Sequence, residues 1–172
     1  MNVLENVKTK IAEIKKQKEE LVSQLRGDFA PMLQPFFERS LGKISSIGWT
    51  QYTPYFNDGD ECVFSVHVDL DYGLKVNGED LDDSDFFPCS TWGLQKMTEG
   101  KDAYDAWVGR YPNDAISDED IAKHLPLYFL LKEISETLQS IDDEFFKDLF
   151  GDHVIVTVYD NGTIETEEYE HD

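Results

Sequence analysis

Residues 62–72 constrain the fold more than any other stretch of this chain. Cys62, Phe64, Val66, Val68, Leu70 and Tyr72 fall on one side of an extended backbone. Val63, Ser65, His67, Asp69 and Asp71 fall on the other. A period of two with β-branched and aromatic residues predicts a half-buried strand, its apolar side facing a core. The residues before it, 47–56, are also aromatic and β-branched, but Pro54 must end that run or sit at an edge. Asn57-Asp58-Gly59-Asp60 between the two runs is turn chemistry, with Gly59 able to take a positive φ. The reading is a hairpin, with helices covering its apolar face.

The rest of the chain supplies those helices. Leu4, Val7, Ile11, Ile14, Leu21 and Leu25 follow the 3-4 spacing of a heptad seam over residues 3–26, interrupted only by Lys18. Such a seam suits packing on its own domain or pairing with a second copy. The segment carries six basic and four acidic residues, whereas the remainder carries nine and thirty-two, so charge could also dock it on the body. Gly27-Asp28 is read as the end of this helix and the cap of another, residues 29–40, with Pro31 near its start and Pro35 kinking it. Asn77-Gly78 marks a tight turn. Glu79, Asp80, Asp82, Asp83 and Asp85 form an acidic loop, anchored by Phe86-Phe87-Pro88. Residues 102–108 suggest a short helix presenting Tyr104 and Trp107. Ser117 followed by three acids opens a long helix, apolar on more than one side through Phe129 and Leu130, which Pro126 is expected to split. Residues 142–150 form a last helix closed by Gly151. Residues 153–159 and 162–169 form a second hairpin, its acidic last strand suited to an edge.

Grouped strands without strand-helix alternation predict an α+β fold. It has an antiparallel sheet of about four strands in two hairpins, packed against helices. A long N-terminal amphipathic helix, 1–26, precedes a single domain, 27–172.

Charge narrows the function classes. Fifteen basic residues against 36 acidic give a net charge of −21. Direct binding to nucleic acid or to an anionic membrane needs Lys and Arg that this chain lacks. No apolar run reaches the length of a membrane span, the N-terminus lacks a secretory pattern, and two cysteines without metal-ligand spacing suit a reducing cytoplasm. The natural partners of such a chain are basic surfaces and metal ions.

Catalytic chemistry is thin. His67 shares a strand face with Asp69 and Asp71, and a carboxylate can orient an imidazole; this is the basis for an alternative reading as an enzyme. Cys62 falls on the core side as an inert thiol, and Cys89 is expected to be the more exposed. Asp58, Asp60 and Glu61, like the acids of 80–85, lack the ligand pattern of a calcium loop. Neither a metal nor a cofactor is expected. A second alternative is a small-ligand or nucleotide pocket built from Trp49, Tyr52, Tyr55 and Phe56.

The segment Trp49-Thr-Gln-Tyr-Thr-Pro-Tyr-Phe-Asn-Asp-Gly-Asp-Glu-Cys-Val-Phe-Ser-Val66 resembles one found in an uncharacterised protein family of tailed bacteriophages. The resemblance implies a phage-type source and the cytoplasm of a bacterial host, and brings no active site with it. With the charge, it leads to the expectation of a non-enzymatic acidic protein that binds a basic host protein, in the manner of a nucleic-acid mimic. The residues expected to carry this are Asp69, Asp71, Glu79, Asp80, Asp82, Asp83, Asp85, Glu165 and Glu167. Alternate acids on a strand stand about 6.5–7 Å apart, close to the phosphate interval of a nucleic-acid strand.

Overall fold

A computed structural model describes residues 2–56, 58–81 and 89–170. The fold is α+β: one antiparallel sheet, five α-helices and a 3-10 turn. The helices are α1 (Val3–Arg39), α2 (Thr91–Glu99), α3 (Lys101–Arg110), α4 (Asp118–Gln139) and α5 (Asp143–Phe150). The strands are β1 (Ser46–Tyr52), β2 (Ser65–His67), β3 (Lys75–Val76), β4 (Glu79–Asp80), β5 (Val154–Tyr159) and β6 (Ile164–Glu168).

The expected two hairpins are present, and they share one sheet of six strands. β1 is its centre. One edge of β1 pairs along its length with β5, which pairs with β6. The other edge is divided between β3 at Ile47 and Gly48 and β2 at Thr50 to Tyr52. Asn77 and Gly78, at φ 56° and 83°, make the expected turn from β3 to β4.

The alternation of residues 62–72 is cut short. β2 ends at His67, and the backbone then turns so that the Asp69 carbonyl accepts from the amides of Tyr72, Gly73 and Leu74. Tyr72 is therefore exposed rather than in the core, and Cys62 is only half-buried. Gly73 makes the turn possible: a Cβ there would lie 2.0 Å from the His67 carbonyl oxygen.

Two predicted helix breaks do not occur. α1 runs unbroken through Gly27, Pro31 and Pro35, so the boundary expected at 26/27 falls inside one helix about 55 Å long. Two interior prolines and a glycine cost about 7 kcal/mol in propensity. Burying Phe29, Leu33, Phe36 and Phe37 returns about 6–12 kcal/mol at about 1.5–3 kcal/mol each, enough over most of that range to offset the cost, with Ala30 buried as well. α4 runs through Pro126 in the same way, with Leu127, Tyr128, Leu130 and Leu131 buried beyond it; Phe129 faces out, half-exposed. α2 carries no start signal in the sequence: Ser90 makes no side-chain cap bond and the first turn holds no acid.

The core lies between α1, α4 and α5 and the sheet face that carries Ile47, Trp49, Val156 and Val158. Phe29 packs at 5.6 Å from Trp49 and 5.2 Å from Phe150, and Trp49 at 5.5 Å from Phe146. Gln51 is fully buried among them. The N-terminal half of α1 leaves this body. Val3, Leu4, Val7, Ile11, Ile14 and Leu21 are all exposed, and Leu25, with its neighbour Val22 off the seam, is the first seam residue to touch the core. Packing of the seam on its own domain therefore fails before Val22. Charge docking reduces to Lys18 on Asp148 at 2.7 Å and Arg26 over the Phe150 ring.

Candidate functional site

The acids expected to form one partner surface are distributed over separate places. Asp69 and Asp71 sit in the turn after β2, not on a strand, so their phosphate-like interval is lost. Asp69 accepts from Gln139 and Asp71 from Thr91. They join Glu99 of α2 and Glu136 of α4 around a cleft of about 350 Å³, floored by Tyr128 and Ser135. Ser135 donates to the Val68 carbonyl and so ties the turn to α4. Lys132 stands in the cleft wall, 4.0 Å from Glu136, and Lys96 of α2 donates to both oxygens of Glu99 at 2.9 and 2.8 Å. Burial, reinforced by Asp71, Glu99 and Glu136, pushes the Tyr128 phenol up to about 12, so it remains a neutral donor. Four carboxylates against two ammoniums, Lys132 and Lys96, leave the cleft net negative among the described residues.

Glu165 and Glu167 keep the predicted alternation. Both lie on β6, exposed, on the sheet face turned away from the core. Cross-strand register places Asp80, Lys75, Gly48, Thr157 and Glu165 in one lateral row of that face. Four strand spacings separate its terminal acids by about 19 Å. Lys75 and Asp80 pair at 3.7 Å, and Glu165 accepts from the Tyr159 hydroxyl. Glu79, next to Asp80 on β4, alternates to the opposite face. Asp82, Asp83 and Asp85 lie outside the described residues.

The four aromatic residues proposed as a pocket do not line one. Trp49 is fully buried in the core, across the sheet from Tyr52. Tyr52 stacks on His67 at 4.7 Å and lies 5.3 Å from Tyr169. Tyr55 stacks on His153 at 4.6 Å, and Phe56 is exposed. His67 stays on the open sheet face, its Nε2 3.2 Å from the Ser65 hydroxyl, whereas Asp69 and Asp71 have followed the turn away from the strand. An aromatic cleft does exist elsewhere. Trp92 and Lys96 of α2, Trp107 of α3, and Tyr111 and Asp114 beyond it line about 420 Å³. No motif announced it.

Sequence reading also missed a cluster beside that cleft. Cys89 just before α2 meets Asp120 and His124 of α4, with one ligand-type atom of each within 4.8 Å of the others. Cys89 is buried, against expectation, because the start of α2 packs against α4. Burial, with Asp120 adding, pushes its thiol up, and Lys123 opposes. Burial, helped by Lys123, pushes His124 down. The pair is thus a neutral thiol and a neutral imidazole, not an activated thiolate. The i, i+4 spacing of Asp120 and His124 was visible in the sequence; their meeting with Cys89 was not.

No helix among the described residues is long and apolar enough to cross a membrane. No family model, no curated protein and no solved structure matches this chain.

Proposed function

We propose that this is a non-enzymatic acidic protein of the phage type that binds a basic host protein in the bacterial cytoplasm. The observation that carries the reading is the net-negative cleft lined by Asp69, Asp71, Glu99 and Glu136, where Lys96 pairs with Glu99 and Lys132 with Glu136. An arginine or lysine side chain of the partner enters it, and arginine fits best because its planar fork engages carboxylates in pairs. Glu165 and Glu167 form a second acidic patch on the open sheet face, at the interval a phosphate-binding groove accepts. Long-range attraction from a net charge of −21 steers the encounter.

The test is capture from bacterial lysate at rising salt, followed by affinity measurement on the captured protein. The double variant Asp71→Asn, Glu99→Gln is expected to weaken binding by at least about tenfold. Glu165→Gln with Glu167→Gln is expected to weaken it less and to abolish competition by DNA. A captured protein indifferent to salt, to DNA and to the cleft variants, and lost instead on Tyr55→Ala, overturns the reading in favour of the aromatic surface.

We further propose that the exposed seam of α1, residues 4–25, pairs with a second copy of the chain. Five apolar seam residues, Leu4, Val7, Ile11, Ile14 and Leu21, exposed in one stripe on a projecting helix support this.

A further inference from the structure

We propose that Cys89, Asp120 and His124 bind one zinc ion per chain. Thiolate, carboxylate and imidazole together are a donor set that zinc accepts in tetrahedral geometry. Their ligand atoms lie within 4.8 Å of one another. Tetrahedral ligands at zinc bond lengths stand about 3.3–3.6 Å apart, so the side chains close by at most about 1.5 Å, within the reach of small torsional changes about Cβ.

A second observation points to a missing ligand. His124 is 8% exposed and its Nε2 is buried without a hydrogen-bond partner. A buried imidazole nitrogen left unpaired is costly, and an ion held by this cluster supplies the partner that the described protein groups do not. The surroundings fit as well. Asp120 and His124 are one helical turn apart, on the same side of α4. Ser117 caps α4 by accepting from the Asp120 amide and donates its own proton to the Asp120 carboxylate. That is the outer-shell contact that fixes a metal-binding carboxylate. A thiolate and a carboxylate carry two negative charges, which the ion neutralises.

Three protein ligands leave a fourth position. A cavity of about 270 Å³ touches both Cys89 and Asp120 and shares Ser90 and Asp114 with the wall of the Trp92–Trp107 cleft. The fourth ligand is a water from that cavity. The ion also fastens the chain at Cys89 to α4.

Cobalt(II) reports on such a site directly. Titrating the chelator-stripped full chain is expected to give one cobalt per chain, the visible bands of four-coordination and a thiolate-to-cobalt band in the near ultraviolet. One equivalent of zinc should bleach all of them. Cys89→Ser should remove the thiolate band while Cys62→Ser keeps it. Asp120→Asn and His124→Asn should each weaken zinc binding by more than about tenfold, since losing even an outer-shell partner costs that much. Asp120→Asn keeps the Ser117 cap, so it remains informative if His124→Asn does not fold. The inference is overturned if cobalt binds without a thiolate band, which is adventitious capture by surface carboxylates. It is equally overturned if the band depends on Cys62, or if Asp120→Asn binds zinc as wild type does.

Discussion

Asp152 shows how much one side chain can hold. It follows Gly151 at the end of α5 and accepts from the Thr53 amide at 2.8 Å, the Thr53 hydroxyl at 2.7 Å and Lys147 at 2.8 Å. Burial pushes its carboxyl up, but the bonds from Lys147 and Thr53 outweigh burial and hold it at about 2. A depressed carboxyl stabilises the folded state fully above its unfolded value near 4, and that contribution fades as pH falls through about 2. Asp152→Asn is expected to cost about 1–2 kcal/mol at pH 7, allowing for partial exposure, and little at pH 2. Urea unfolding of both proteins at the two pH values measures it; an equal cost at both would assign the effect to packing rather than charge.

Between elements, the decisive contact joins β1 to α5. Gln51 accepts from the Trp49 indole at 3.0 Å and donates to the carbonyls of Phe146 at 3.2 Å and Gly151 at 2.6 Å. It therefore ties β1, from inside the core, to a mid-helix carbonyl of α5 and to the carbonyl of the Gly151 cap that follows it. Gln51→Leu preserves volume but takes the partner from the Trp49 indole N–H and from the Gly151 carbonyl. The expected loss is about 3 kcal/mol, read as a lower urea midpoint with an unchanged slope. The same logic explains why prolines fail to break α1 and α4: an element's continuity is set by what its side chains bury, and its propensity is a smaller term.

For the whole molecule, the body and the projecting half of α1 have different tasks. The body gathers the aromatic core, the acidic cleft and the Cys89 cluster. The projecting half makes few contacts with it, so its apolar stripe is available for another copy. Ile14 is 64% exposed. Ile14→Glu is expected to leave unfolding free energy within about 0.5 kcal/mol for the body while converting a dimer to a monomer in sedimentation. If Ile14→Glu and wild type sediment alike, the seam has another role.

What the sequence determined by itself is what short-range chemistry controls. Ser117 caps α4 as read, because its side-chain oxygen and an amide three residues on meet whatever the rest does; α5 starts one residue later than read, with Asp142 as its cap. Gly151 stops α5, Asn77-Gly78 turns β3 into β4, and period two is kept in β5 and β6, so Glu165 and Glu167 stand where alternation placed them. Only the tertiary structure decided the rest. It put β1 at the centre of the sheet and sent Trp49 into the core rather than a pocket. It carried Asp69 and Asp71 off their strand into a cleft with Glu99 and Glu136, and brought Cys89 to His124 across 35 positions of sequence. The physical reason is the same in each case. Burial of apolar surface is nonlocal and outweighs local preference, so residues far apart in sequence meet only once the core has formed.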